Sequence, residues 1–256
     1  MKLIKIIIKK ILNFYNLEII NKKFHPTKWT PVEINKKEKK IINDCKKYSM
    51  TGELRMSILI NLVKLINKNK IKGDFVECGV WRGGNIMLFQ KLIEYLSIKD
   101  KIVYGYDTFE GMTLPSKFDV YQNNKSAKFL MNKEIKNQNL QHTIHAICSL
   151  DQVKNNIKKI TKTNSIKLIK GDVKKTLMIN ENLPKKISIL RLDTDFYEST
   201  KIELEILYPK VQIGGILIID DYGEWKGSKK AVDEYFKDNI PFLHIVDQSC
   251  RYLIKK

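Results

Sequence analysis

The sequence predicts an α/β fold in which a mostly parallel sheet is covered on both faces by helices. Three observations carry that prediction. Five short apolar runs recur along the chain, DFVECGV (74–80), KIVYGYD (101–107), SIKLIKGD (165–172), KISILRLD (186–193) and GGILIIDD (214–221), and runs without polar alternation are the mark of strands buried on both sides. Helical or irregular segments separate them, the alternation expected of a parallel sheet with crossover helices. Four of the runs end in aspartate and the first carries Glu77 near its end; ligands of open parallel sheets bind in the crevice beyond the carboxyl ends of the strands.

The elements follow in chain order. MKLIKIIIKKILNFYNLEII at the N-terminus is interrupted by Lys2, Lys5, Lys9 and Lys10, so it lacks the ~20 continuous apolar residues of a membrane span. Ile4, Ile7, Ile8, Ile11 and Tyr15 fall at helical spacing, with the lysines largely on another face. Such a face is expected to pack on its own domain or on a second subunit, which makes a homo-oligomer the expected assembly; resting on an anionic membrane surface is the alternative. Residues 26–35, with Pro26 and Pro31, form a connector. From Lys36 to Lys70 the pattern is helical, and SILINLVKLINKNK places apolar residues at three- and four-residue steps. The expected organisation is an N-terminal helical extension over 1–47 and one α/β domain over 48–256, since 256 residues bury one sizeable core.

Charge and cysteine content narrow the function classes. The net charge of +19 comes from lysines spread over nearly every segment, which reads as solvated faces rather than one basic patch. Neither a basic stripe nor an aromatic RNA-binding motif is present, so no specific nucleic-acid partner is expected. Cys45, Cys78, Cys148 and Cys250 lie far apart without a C-x-x-C pair, which argues against a disulfide framework or a zinc cluster and fits a reducing cytoplasm.

The rim of strand ends carries the chemistry. Glu77, Asp107, Asp172, Asp193, Asp195, Asp220 and Asp221 would line one edge of the sheet, where seven carboxylates repel one another unless cations or hydrogen-bond donors face them. The turn VECGVWRGGN, with Gly79, Gly83 and Gly84, lets the backbone turn tightly and approach a ligand. It is not the G-x-G-x-x-G pattern, and Glu77 and Trp81 crowd it, which suits a ligand bearing an amine and no phosphate. Asp107 at the end of YGYD can accept both ribose hydroxyls. A nucleoside with an amino-acid tail, such as S-adenosylmethionine, fits both features; a nicotinamide cofactor would also place an acid near Asp107. Glu198 and Ser199 of DFYEST are expected to start and cap the helix that KIELEILY continues. Glu110–Leu140 is a candidate lid, with a plain solvent loop as the alternative. Tyr197, Tyr222 and Trp225 either stack on a sugar or pack in the core.

GDFVECGVWRGGN, YGYDTFEGM, LRLDTDFYEST, LYPKVQIGGILIIDDYG and KGSKKAVDEYF, in this order, resemble the macrocin O-methyltransferase family from about Tyr48 to the C-terminus. The resemblance implies a Rossmann-like class I methyltransferase fold with a mostly parallel seven-stranded sheet, S-adenosyl-L-methionine and Mg2+ as cofactors, and a sugar-containing small molecule as acceptor. By the same resemblance Glu77, Gly79 and Asp107 line the cofactor site, with Asp172 near the adenine. Asp193, Asp220 and Asp221 match the metal ligands, and Asp195 the general base. Magnesium takes six oxygen ligands, so three carboxylates leave room for two neighbouring hydroxyls. Asp195 would point the same way as Asp193 in a continuing strand, or reach the reacting oxygen from just past the strand end. A catechol-like phenol is the alternative acceptor, and a non-catalytic basic binding protein the alternative class.

Overall fold

The computed structural model describes residues 8, 12, 31–135, 144–162, 164–239 and 241–256. The expectations for Ile4, Ile7, Ile11 and Tyr15, and the far end of the candidate lid, lie outside those residues.

The five apolar runs form the five parallel strands β1 (Asp74–Cys78), β2 (Val103–Asp107), β3 (Ile166–Lys170), β4 (Ile187–Leu192) and β5 (Val211–Ile219). Two short strands complete the sheet, β6 (His244–Ile245) and β7 (Arg251–Ile254), in the order β3-β2-β1-β4-β5-β7-β6. β7 runs antiparallel to β5 and to β6. The seven-stranded, mostly parallel sheet is the one the resemblance implied.

Successive residues of each strand face opposite sides of the sheet, and both sides are filled. Phe75, Ile189 and Ile216 pack in one core, while their neighbours Val76, Leu190 and Leu217 pack in the other. The first core is closed by α1 (Lys36–Cys45), α2 (Glu53–Lys68), α3 (Gly84–Tyr95) and, after α4 (Ala127–Ile135), by α5 (Leu150–Ile160). α1 starts with a capping box in which Asn35 accepts from the Glu38 amide and Glu38 from the Asn35 amide. It buries Ile41, Ile42 and Cys45 in the same cluster as Phe89 and Ile189. α2 buries Met56, Leu59, Ile60, Val63 and Ile66 at the three- and four-residue steps read from the sequence. The second core is closed by the short α6 (Val173–Thr176), α7 (Tyr197–Leu207) and α8 (Lys226–Phe236). No described helix is long and apolar enough to cross a membrane.

Register sets the site. Cys78 pairs with Leu192, and Leu192 with Ile219, so the chain ends of β1, β4 and β5 lie side by side. The residues that follow, Gly79, Asp193 and Asp220, therefore meet on one rim.

A carboxylate cluster at the sheet edge as candidate active site

The first turn beyond the sheet is built by contact between backbones. Gly79 has φ +88, and a Cβ placed on it would lie 1.9 Å from the Asp193 carbonyl oxygen. The glycine is thus required by the neighbouring strand end, a reason not visible in the turn's own sequence. Gly79→Ala combines the strain of a positive φ, about 1–2 kcal/mol, with overpacking of about 1–3 kcal/mol. A loss of roughly 2–5 kcal/mol is expected in urea unfolding; a wild-type midpoint would contradict the contact.

Asp107 completes the turn. Its Oδ2 accepts the amides of Val80 (2.7 Å) and Trp81 (2.9 Å), and its Oδ1 that of Phe109 (2.6 Å). The carboxylate expected to hold a ribose is, in this structure, engaged in shaping the glycine turn. It still faces an open cleft, lined also by Gly79, Asp172, Asp193 and Thr194. Asp172 caps α6 by accepting the Lys174 amide at 2.9 Å. Three of the four residues expected at the cofactor therefore line one cleft. Glu77 is not brought to it: this carboxylate is 1% exposed and accepts from Arg191 Nη1 at 2.6 Å.

The aspartates of the two clusters converge. Asp193, Asp220 and Asp221 each offer a carboxylate oxygen, all within 4.8 Å of one another. Three hard oxygen donors with no sulfur or imidazole are a donor set for magnesium, manganese or calcium rather than for zinc, so the residues fit the ion the resemblance implied. β4 ends at Leu192 and Asp195 takes φ 63, so it does not continue the strand. A left-handed non-glycine residue beside a cleft costs of order 1–3 kcal/mol and needs firm surroundings. The preceding Thr194 supplies them: its hydroxyl donates to Glu203 (3.0 Å), and its carbonyl accepts from Phe196 N (2.7 Å) and Ser199 Oγ (3.3 Å). Ser199 is thus buried and donates backwards, correcting its expected capping role. The α7 N-terminus is capped from afar instead, by Asp119 Oδ1 accepting the Tyr197 amide at 2.7 Å.

The segment expected to be a lid or a solvent loop is anchored at a few points where it is described, through Asp119 and Ala127, while Leu114 and Phe129 are exposed. Ala127, Phe196 and Trp225 form a small core with Met112, Tyr121 and Leu130 around it. Trp225 meets Phe196 and Tyr121 edge to face, so its part is packing.

Burial pushes Asp195 up to about 7 and Asp221 well above the usual carboxylate range, Asp221 also facing the charges of Asp195, Asp193 and Asp220. The two carboxyl groups lie within hydrogen-bonding reach of each other, an arrangement that favours a proton held between them. Around Asp195 stand Asp220, Glu224 and Asp119 as well. Burial alone would raise Asp220, but Arg191 and Arg55 outweigh it and hold it below the usual range. Because Asp195 and Asp221 are raised, the folded chain binds more protons than the unfolded one between about pH 4 and pH 7, and stability falls as pH rises through that window. The melting temperature of the metal-free protein is expected to fall between about pH 4 and pH 7, with saturating Mg2+ restoring part of the loss. A scan showing a rise over that interval, with no effect of the ion, would contradict the shared proton.

Two arginines escaped the sequence reading. Arg191 sits inside the strand run ISILRL and contacts Glu77, Asp193 and Asp220; Arg55 of α2 contacts Asp220 and Asp247. A charged residue within an otherwise apolar run was the available signal.

The family profile described as Macrocin-O-methyltransferase (TylF) matches residues 9–255. The chain belongs to the macrocin O-methyltransferase family. Demethyldecarbamoylnovobiocin O-methyltransferase of Streptomyces niveus is 32% identical to it over 190 residues, 73% of this chain and 67% of that protein. Mycinamicin III 3''-O-methyltransferase of Micromonospora griseorubida is 26% identical over 190 residues, 73% of this chain and 70% of that protein. The solved structure of the O-methyltransferase NovP aligns with a TM-score of 0.68 and 30% identity, covering 81% of this chain and 82% of that one. This macrocin-type enzyme is an O-methyltransferase of the class I fold.

Proposed function

We propose that this O-methyltransferase transfers the methyl group of S-adenosylmethionine to a hydroxyl of a sugar, in a glycan, a nucleotide sugar or a glycosylated natural product, with help from a divalent metal ion. The observation that carries the reading is the convergence of Asp193, Asp220 and Asp221 within 4.8 Å, with Asp195 beside Asp221 and with Asp193 also lining the cleft of Gly79, Asp107 and Asp172. A relative from Streptomyces olivaceus, named as the 4'-O-methyltransferase of a rhamnosyl-bearing tetracenomycin, supports the acceptor class.

When bound, the donor supplies an electrophilic methyl group and the ion supplies positive charge beside the acceptor oxygens. The chain's own residues do the rest. Gly79, Asp107 and Asp172 shape the donor cleft. Asp193, Asp220 and Asp221 would hold the ion, which would supply positive charge beside adjacent acceptor hydroxyls. Asp195, fixed in its left-handed conformation by the Thr194 contacts, takes the proton of the reacting hydroxyl. The protein contributes mainly orientation and charge. The phenolic acceptor remains the second reading, because two adjacent aromatic hydroxyls suit the same carboxylates. Action in the cytoplasm and as a homo-oligomer belongs to the proposal.

Calorimetric titration with S-adenosylhomocysteine, with and without Mg2+, tests donor and ion. A methyl-transfer screen of sugars, nucleotide sugars and catechols then tests the acceptor. Saturable binding and transfer to a sugar are expected; a folded protein that binds no donor would overturn the reading.

A further inference from the structure

The polar groups beneath the carboxylate cluster are arranged in two braced units. Arg191 is 2% exposed in the middle of the sheet. Its Nη1 donates to Glu77 Oε1 and to Asp193 Oδ2, both at 2.6 Å, and its Nη2 donates to Thr51 Oγ1 at 3.0 Å and lies 2.7 Å from Asp220 Oδ1. Arg55 approaches from α2. Its Nη1 pairs with Asp220 Oδ2, while its Nε and Nη2 grip Asp247 at 2.6 and 3.2 Å. Asp247 is itself fixed by the amides of Ser249 (2.9 Å) and Cys250 (2.8 Å). Both oxygens of Asp220 thus face a guanidinium, and one oxygen of Asp193 does.

Simple electrostatics makes two cations beside a metal site unfavourable for the metal. The partners change that conclusion. Each arginine is accompanied by a carboxyl outside the ligand set, Glu77 for Arg191 and Asp247 for Arg55, which offsets part of its charge. What the units add is hydrogen bonds in fixed directions, for which the planar guanidinium fork is suited and an ammonium is not. Groups that orient ligating carboxylates in this way typically contribute 10–100-fold to metal affinity.

We propose that Arg191, braced by Glu77 and Thr51, and Arg55, braced by Asp247, are positioning residues that hold Asp193 and Asp220 in their metal-ligating arrangement before the ion arrives. The inference rests on the reading of Asp193, Asp220 and Asp221 as metal ligands. It also assigns Glu77 a role behind the metal carboxylates in place of contact with the methyl donor.

The test is calorimetric titration of the wild type, Arg191→Lys, Arg55→Lys and Glu77→Gln with Mn2+ alone, and separately with S-adenosylhomocysteine. A thermal melt of each variant reports folding. Arg191→Lys is expected to weaken Mn2+ binding about 10–100-fold and to leave the S-adenosylhomocysteine affinity within about threefold. Glu77→Gln, which keeps an acceptor for Nη1 but removes the charge that partly offsets Arg191, and Arg55→Lys are expected to shift Mn2+ in the same direction and spare the donor analogue. A merely structural role would lower both affinities together. Mn2+ binding as tight as wild type, or tighter, in folded Arg191→Lys overturns the proposal, as does a Glu77→Gln variant that loses the donor analogue and keeps Mn2+. If Arg191→Lys does not fold, the half-buried Arg55 and Glu77→Gln decide by the same criteria. A wild type that binds donor analogue but no Mn2+ overturns the metal centre, and this proposal with it.

Discussion

Asp221→Ala is expected to lower methyl-transfer turnover by at least about 10³-fold while leaving S-adenosylhomocysteine affinity within about threefold. A metal ion beside a developing alkoxide supplies several kcal/mol of charge stabilisation, and about 1.4 kcal/mol corresponds to each factor of ten. Asp221 is the ligand with most to lose. Asp220 is held by Arg191 and Arg55 and Asp193 by Arg191, whereas the described partner of Asp221 is Asp195, another carboxyl. Its removal therefore opens the metal site on the side facing the general base. The donor cleft, lined by Gly79, Asp107 and Asp172, does not include it. Single-turnover assays with and without Mn2+, beside calorimetry of the donor analogue, separate the two effects. Turnover unchanged in Asp221→Ala would remove the metal from the reaction.

Asp195→Asn is expected to reduce turnover by about 10²–10⁴-fold, the usual contribution of a positioned base, with Mn2+ and S-adenosylhomocysteine affinities near wild type. Asparagine is the informative substitution, since it keeps the shape and tolerates the left-handed conformation that Asp195 adopts at φ 63. A backbone explanation for lost activity is thereby removed. The acid limb of the pH–rate profile should disappear with the carboxyl, because protonation of Asp195 in the wild type switches the base off. An Asp195→Asn enzyme that keeps both its rate and its acid limb would place the base elsewhere.

Four of the parallel strands were legible because burial on both faces leaves a largely apolar run, whereas β3 at the sheet edge, broken by Lys167 and Lys170, was legible from its place in the alternation of strands and helices. β6 and β7 were not legible as residues: His244–Ile245 is two residues long, and a short edge strand leaves little pattern. In the site, Asp193, Asp220 and Asp221 announced themselves as strand ends, and parallel register brings strand ends together. Partnerships across the fold did not. Glu77 stands beside a glycine turn in the sequence, but its partner Arg191 lies 114 residues away and on the neighbouring strand. Asp119 was lost in a polar stretch, although it caps α7 across 78 residues. Ser199 carried a capping signature that tertiary contacts overrode, its hydroxyl going to the carbonyls of Thr194 and Phe196.

Asp119 has a consequence for rebuilding the enzyme. One of its oxygens accepts the first amide of α7, the other accepts Ser116 N within its own loop, and Gly227 of α8 leaves the space it fills, since a Cβ there would meet Asp119 Oδ1 at 2.1 Å. The loop and the two helices that follow the aspartate clusters are thereby buttoned together at one point. A chimera that exchanges residues 110–135 with those of a relative to change what is methylated would carry the button without its hole, unless positions 119 and 227 are transplanted as a pair.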